Sequence, residues 1–340
     1  MNTGFAKRRS LKMLKITLLI DEGQVWMQKG ILMIGTAPAR LARVLHQMVG
    51  SVVILPFTSL PDLVAQLEET RPDLVFNATE HANGNRALDS AITGALDLLQ
   101  IPYAGEESRT LVLCRDKAVS KLIAEYVGFK IPLFTTSSRD LAASLPPFPL
   151  ILKPRYSDSS ALVSKHSVVT NKDQLTERLK ILRHVPATEL IFEQFIPGRE
   201  IYIGTLGGRL TPPRELIFPK RFGPLLRIFT FRLKHSKAYR LRCGVRCAFA
   251  RLPPPLLREL RSLSAKTFRA LGITAYGRLD LRLTPHNEWY FIEANPNIGL
   301  SPFRGAQIGI WSRFKNAELV ATVLRQSMTK TNPPRRNRPA

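Results

Sequence analysis

Along the first hundred residues, short apolar runs alternate with stretches in which apolar positions recur every three or four residues. The runs at 15–20, 51–56, 73–77 and 101–104 predict strands; the periodic stretches at 39–48, 60–69 and 87–100 predict helices. Such alternation argues an open α/β sheet of mostly parallel strands. Leu74-Val-Phe76-Asn77 has the look of a buried strand with a polar end, where α/β sheets place ligand contacts. Helical spacing over 108–127 stops at Gly128, with Pro132 beyond it. An α+β pattern follows, with strands at 148–154, 167–170 and 190–195 around a helix at 172–182. Strand signals resume from Gly204, and a helix at 255–271 leads into a final pair of strands.

That pair carries the most information. Tyr276-Gly-Arg278-Leu-Asp280-Leu-Arg282-Leu283 and Trp289-Tyr-Phe-Ile-Glu293-Ala-Asn295-Pro296 flank a turn at Thr284-Pro-His-Asn287. Alternation puts Arg278, Asp280 and Arg282 on one face of the first strand. It puts Trp289, Phe291, Glu293 and Asn295 on one face of the second. If Leu283 pairs with Tyr290, Asp280 stands opposite Glu293 and Arg278 opposite Asn295. Opposed residues lie roughly 4.5–5.5 Å apart, where like charges repel. A hard divalent cation relieves that repulsion: Mg²⁺ takes carboxylate and amide oxygens and shares its other positions with phosphates and water. On the hairpin alone, a metal–nucleotide site and an ordinary hairpin with solvated charges are both open.

Composition narrows the classes. Of 340 residues, 44% are apolar and 22% charged, which suits a folded chain of two or three modest domains rather than a disordered one. Fifty Lys and Arg against 26 Asp and Glu give a net charge of +24, a field that concentrates anionic partners. Nucleic acid therefore stays open as a partner, although no recognised nucleic-acid motif supports it. Cys114, Cys243 and Cys247 are too few and scattered for a disulfide framework or a zinc ribbon, and fit a reducing, cytoplasmic setting. No run reaches the ~18 apolar residues of a membrane span.

Other candidate residues are individually weak. Lys153 ends the apolar strand Leu150-Ile-Leu152 and precedes Pro154 and the small-polar loop Ser157-Asp-Ser159-Ser160, a setting suited to phosphate. Lys117 lies early in a helix, where a solvated lysine is the plain reading. Glu193-Gln-Phe-Ile-Pro-Gly-Arg-Glu200 places two carboxylates around a Pro-Gly turn.

Their order along the chain is more specific. Helix Lys, strand Lys-Pro with a Ser loop, Glu…Glu hinge, basic loop, Arg-x-Asp and Glu-x-Asn together resemble the ATP-grasp superfamily, and within it the D-alanine–D-alanine ligase-like proteins. The resemblance spans about 73–310 and is strongest at Phe76-Asn-Ala-Thr-Glu80, Ile101-Pro-Tyr-Ala-Gly105, Asp116-Lys117, Leu152-Lys-Pro154 and Glu293-Ala-Asn-Pro296. It implies an ATP-grasp fold: a Rossmann-like pre-ATP-grasp domain at 12–108, a central α+β subdomain at 109–203, a C-terminal α+β subdomain with the metal site at 204–325, and a basic disordered tail at 326–340. It implies ATP and two Mg²⁺ ions (Mn²⁺ as a substitute), with an amino-acid or peptide-like small molecule as substrate; a homodimer is compatible with it.

Residue by residue, the resemblance implies that Lys117 and Lys153 contact the ATP phosphates. Glu193 would lie at the adenine, with backbone near Gln194 and Ile196, and Glu200 at the ribose. Asp280, Glu293 and Asn295 would bind Mg²⁺. Arg278, Lys234 and Ser159 would serve the transferring phosphoryl group, and Ser160, Gly299 and Glu22 the substrates. Departures fall on the substrate side: Asp158 precedes the paired serines where dipeptide ligases carry glycine, and Glu80-His81 stands where relatives read Glu-Gly. The expected activity is an ATP-dependent carboxylate–amine ligation through an acyl phosphate. A degenerate Mg-ATP binder and a basic nucleic-acid-binding protein are the alternatives.

Overall fold

The computed structural model describes residues 10–28, 31–82, 85, 88–136, 144–157, 160, 162–300, 310–311 and 313–330. They form two compact units, one from the chain up to Ser108 together with residues from Lys315 onward, the other Arg109–Phe314.

In the first unit, β1 (Lys15–Asp21) opens into a short hairpin of β2 (Val25–Gln28) and β3 (Ile31–Ile34), which the apolar pattern did not signal. Then come α1 (Thr36–Met48), β4 (Ser51–Phe57), α2 (Leu60–Thr70), β5 (Leu74–Asn77), α3 (Asp89–Leu98) and β6 (Tyr103–Ala104). The sheet is parallel, in the order β4-β1-β5-β6, as the alternation predicts. Its core joins Leu19, Leu55 and Val75 of the strands to Leu63, Leu67, Ile92 and Leu96 of the helices. Ser59 caps α2 by accepting from the Asp62 amide, with Pro61 in the first turn. The last helix among the described residues, Asn316–Lys330, groups with this unit and buries Leu319, Val320, Val323 and Leu324. Residues 326–330, expected in the tail, are thus helical; 331–340 lie outside the described residues.

The second unit begins with a correction. The stretch 108–127 is not one helix but two, α4 (Ser108–Arg115) and α5 (Lys117–Tyr126), because Asp116 leaves the helical region (φ −80°, ψ 104°) to cap the second. Its Oδ1 accepts from the Ala118 and Val119 amides at 2.9 and 3.3 Å, while Arg155 grips both oxygens at 2.7 and 2.6 Å. A side chain that satisfies orphan amides and an ion pair at once outweighs two more residues of continuous helix.

Two antiparallel sheets follow. The smaller, in order β7-β10-β8-β9, comprises β7 (Phe134–Thr135), β8 (Leu150–Pro154), β9 (Val168–Val169) and β10 (Leu190–Gln194), with α6 (Lys172–Ile181) covering its apolar face through Leu175 and Leu152. The larger contains β11 (Arg199–Leu206), β12 (Arg209–Leu210), β13 (Arg214–Ile217), β14 (Arg246–Phe249), β15 (Tyr276–Leu283) and β16 (Trp289–Pro296), in order β14-β13-β11-β15-β16 with β12 beside β11. The basic stretch holds α7 (Phe231–His235) and α8 (Lys237–Cys243), and α9 (Pro254–Ala270) lays Leu260 and Phe268 on the core face of β15 and β16. The expected boundary at 203/204 falls inside β11, whose strand signal starts five residues earlier than anticipated. Between β10 and β11, a Cβ on Gly198 would meet the Leu283 carbonyl oxygen at 2.4 Å, so this turn can pass the end of β15 only as glycine.

The β15–β16 ladder carries the register that matters. Asp280 is paired with Glu293 and Arg278 with Asn295, as expected, yet Leu283 pairs with Trp289 rather than Tyr290. A β-bulge at Ile292 absorbs the difference. It also turns over the alternation: Trp289, Phe291 and Ala294 face the core, whereas Ile292 and Glu293 face a cleft. The single-face assignment of Trp289, Phe291 and Glu293 was therefore wrong, since bulges redirect side chains in this way and leave no mark on period-2 patterning.

Candidate active site

One cleft of the second unit is lined by Lys117 of α5, Lys153 of β8, Ser160, Glu200 and Tyr202 of β11, Lys234 of α7, Arg278, Asp280 and Arg282 of β15, and Glu293 of β16. Ile151, Val163, Ile228, Phe229 and Ile292 supply apolar wall. The arrangement comes from strand periodicity: β15 sends Leu279, Leu281 and Leu283 into the core and its charged alternates to the other side. Five cations face three carboxylates in this lining, an excess that suits a polyphosphate.

Most cations are fixed by what they touch. Lys117 is buried rather than solvated, and its ammonium donates to the Arg155 (3.3 Å) and Ser157 carbonyls, holding the loop that follows β8. Lys153 lies 3.2 Å from the Glu193 carboxylate. Lys121, one turn after Lys117, pairs with the same carboxylate at 3.0 Å and is completely buried. Its ammonium also donates to the Ile292 carbonyl, the bulged residue of β16. Burial pushes the Glu193 carboxyl up, but Lys121 and Lys153 outweigh it and hold it below the usual range. Glu193 thus serves as the buried counter-ion of two lysines and does not line the cleft; neither do Gln194, the last residue of β10, and Ile196 just after it.

Arg278 grips Asp280 with two parallel bonds, Nε to Oδ1 at 2.5 Å and a terminal nitrogen to Oδ2 at 2.9 Å. Burial, reinforced by Glu293 and opposed by Arg278, pushes the Asp280 carboxyl up to about 6. Burial also acts on Glu293, but Lys117, Lys153, Lys234 and Arg278 outweigh it and hold that carboxyl at about 2. Asn295 donates to Glu293 Oε1 at 3.4 Å. Two carboxylates and an amide on opposed strands are hard oxygen donors of the kind Mg²⁺ selects, with phosphates completing the shell. Among the described residues no group of three or more His, Cys, Asp or Glu side chains is placed to hold a metal.

The remaining predicted residues are dispersed. Ser160 lines the cleft in a left-handed conformation (φ 59°), and Ser159 with Asp158 lies outside the described residues. The Gly299 carbonyl accepts from the Trp311 indole at 3.1 Å. Glu22, in the first unit, is exposed and opens a single 3-10 turn, Glu22–Gln24. Beside it the buried Asp21 accepts from the Glu80 and His81 amides and meets the His81 ring at 3.2 Å, tying β1 to the 77–81 loop. Lys121, Arg155 and Tyr202 escaped sequence reasoning, and Arg282 was placed on the face of Arg278 and Asp280 without a role. The i, i+4 spacing of Lys117 and Lys121 was the available signal for Lys121.

A cleft that brings lysines of α5, β8 and α7 to the carboxylate pair of β15 and β16, beside two antiparallel sheets, is the arrangement of an ATP-grasp ligase. The family model for the C-terminal part of D-Ala–D-Ala ligases matches residues 123–306. The chain therefore belongs to the D-Ala–D-Ala ligase family of ATP-dependent, ADP-forming ligases, which use Mg²⁺. A D-alanine–D-alanine ligase of Bordetella petrii is 27% identical over 288 residues, covering 81% of this chain and 82% of that protein. Among solved structures, the Bacillus anthracis D-alanine–D-alanine ligase complexed with ATP shares the fold with a TM-score of 0.68 at 18% identity, over 94% of this chain and 98% of that one. The VanG D-Ala:D-Ser ligase of Enterococcus faecalis superposes with a TM-score of 0.66 at 17% identity, over 93% and 100%.

Proposed function

We propose that this cleft binds Mg-ATP and activates the carboxylate of a small amino acid for attack by the amine of a second one. Convergence of Lys117, Lys153, Lys234 and Arg278 on the opposed Asp280–Glu293 pair is the observation that carries the reading. A carboxylate is a poor electrophile for an amine at neutral pH. Moving the γ-phosphoryl group onto it gives an acyl phosphate; the amine then adds to the carbonyl and inorganic phosphate leaves, so each turnover yields ADP, phosphate and one C–N bond.

The chain's residues divide the work. Lys117 and Lys153 hold the phosphates, and the apolar wall of Ile151, Val163 and Ile292 takes the base. Asp280, Glu293 and Asn295 hold the metal, which when bound supplies charge to the migrating phosphoryl group. Arg278, fixed by Asp280, presents a guanidinium that needs no reorganisation when negative charge concentrates on that group. Lys234, on the short helix α7, adds a further positive charge beside Asp280 and Glu293. Glu200 faces the ribose hydroxyls.

For substrates, the relatives' names include both D-Ala:D-Ala and D-Ala:D-Ser ligases. We take a small D-amino acid as the carboxylate donor, with Glu22, Ser160 and Gly299 on the substrate side by resemblance. Incubation with Mg-ATP and single or paired D-amino acids tests this. Amino-acid-dependent ADP and a dipeptide by mass spectrometry are expected; ATP binding without ADP from any D- or L-amino-acid pool would refute it.

A further inference from the structure

Arg282 is the one cleft arginine without a place in the reaction as described, and it is the most heavily committed. It stands directly across the ladder from Glu200. One terminal nitrogen donates to Glu200 Oε2 at 2.9 Å and to the Arg227 carbonyl at 2.7 Å; the other donates to the Gly198 carbonyl at 3.2 Å. Its guanidinium lies over the Phe195 ring, 5.3 Å from the centroid. The side chain is 8% exposed, so these partners fix it in one geometry. Glu200 is held from the other side as well, because the Tyr202 hydroxyl donates to Oε1.

A carboxylate has about four acceptor positions, two on each oxygen. Among the described residues Arg282 occupies one on Oε2 and Tyr202 one on Oε1, so each oxygen keeps one further acceptor position. Two acceptors side by side match a vicinal diol, not a lone hydroxyl. Arg282 also joins the glycine turn at 198, β11, and the segment leading from Arg227 to Ile228 and Phe229 of the cleft wall. Movement of any of these would carry the carboxylate with it.

We propose that Arg282 is a positioning residue that presents Glu200 to the 2′- and 3′-hydroxyls of the nucleotide and so sets the preference for ribo- over 2′-deoxyribonucleotides. The inference rests on the reading of Glu200 as the ribose acceptor. Calorimetric titration of the full chain with Mg-ATP and Mg-2′-deoxy-ATP tests it, using wild type, Glu200→Gln, Arg282→Met and Arg282→Lys. Wild type should favour ATP by about tenfold, the worth of one hydrogen bond to a charged group. Glu200→Gln should reduce that ratio. Arg282→Met should weaken ATP about tenfold while 2′-deoxy-ATP stays within about threefold, and Arg282→Lys, which cannot reach all three acceptors at once, should fall between. If Glu200→Gln erases the preference but both arginine variants keep it, positioning by Arg282 is wrong while the ribose reading stands. Equal weakening of both nucleotides would make Arg282 merely structural, and a wild type that binds no ATP would sink the parent reading itself.

Discussion

Replacing Lys121 with methionine would test the hidden support of the site. The substitution keeps an unbranched stem in a completely buried position and removes only the ammonium. Glu193 would then retain Lys153 at 3.2 Å and lose the partner at 3.0 Å, and the Ile292 carbonyl would lose its donor. Breaking a buried ion pair costs about 3–5 kcal/mol, and the surviving lysine places this case near 3. For a unit of roughly two hundred residues, about 3 kcal/mol lowers the melting temperature by about 6–12 °C. Differential scanning fluorimetry of wild type, Lys121→Met and Lys121→Met/Glu193→Gln supplies the assay. The double variant should recover at least half of the loss, because its buried carboxylate is no longer charged. A shift below about 2 °C in the single variant, or no recovery in the double, would refute the argument that charge compensation rather than packing is at stake.

Other outcomes follow from the same geometry. Arg278→Lys keeps a cation but loses the paired bonds to Asp280; turnover should fall about 10²–10³-fold with Mg-ATP affinity nearly kept, and an equal loss of affinity in titrations would contradict the role. Asp116→Ala removes the cap of α5 and its hold on Arg155, and should lower stability by about 1–2 kcal/mol in urea melts of the second unit; an unchanged midpoint would argue against the break at 116. The Asp280 carboxyl is raised to about 6 from 3.8, so the folded chain holds the extra proton between those values; this contribution to stability is present at low pH and declines as pH rises through 6. Mg²⁺ must displace that proton, so Mg-ATP affinity should fall as pH drops from 7 to 5, and Asp280→Asn should flatten the profile.

Strand–helix order, the parallel first sheet and the Asp280–Glu293 pairing were legible because they depend on periodicity and on direct opposition across a hairpin. The split at Asp116 was not, since Arg155 supplies its second partner from 39 residues away. Nor was the bulge: Ile292 is an ordinary strand residue, and only Lys121 from another element gives its freed carbonyl a donor. The resemblance puts Glu193 at the adenine, whereas in the fold it is the buried counter-ion of Lys121 and Lys153. Its burial between two lysines depends on Lys121 reaching it from α5 and Lys153 from the neighbouring strand β8, which no local pattern encodes. Arg282 had been placed on the charged face of β15, but its grip on Glu200 follows from β11 lying alongside, a pairing that unites residues 82 positions apart.

Phosphoryl transfer onto a carboxylate is best followed by its oxygen. With a substrate amino acid labelled by ¹⁸O in the carboxyl group, Mg-ATP and a second amino acid as amine, the inorganic phosphate released is analysed by ³¹P NMR. One labelled oxygen in that phosphate, in proportion to ADP formed and absent in Asp280→Asn, is the predicted result. Unlabelled phosphate alongside ADP would mean that ATP is hydrolysed without activating a carboxylate, which contradicts the ligase mechanism.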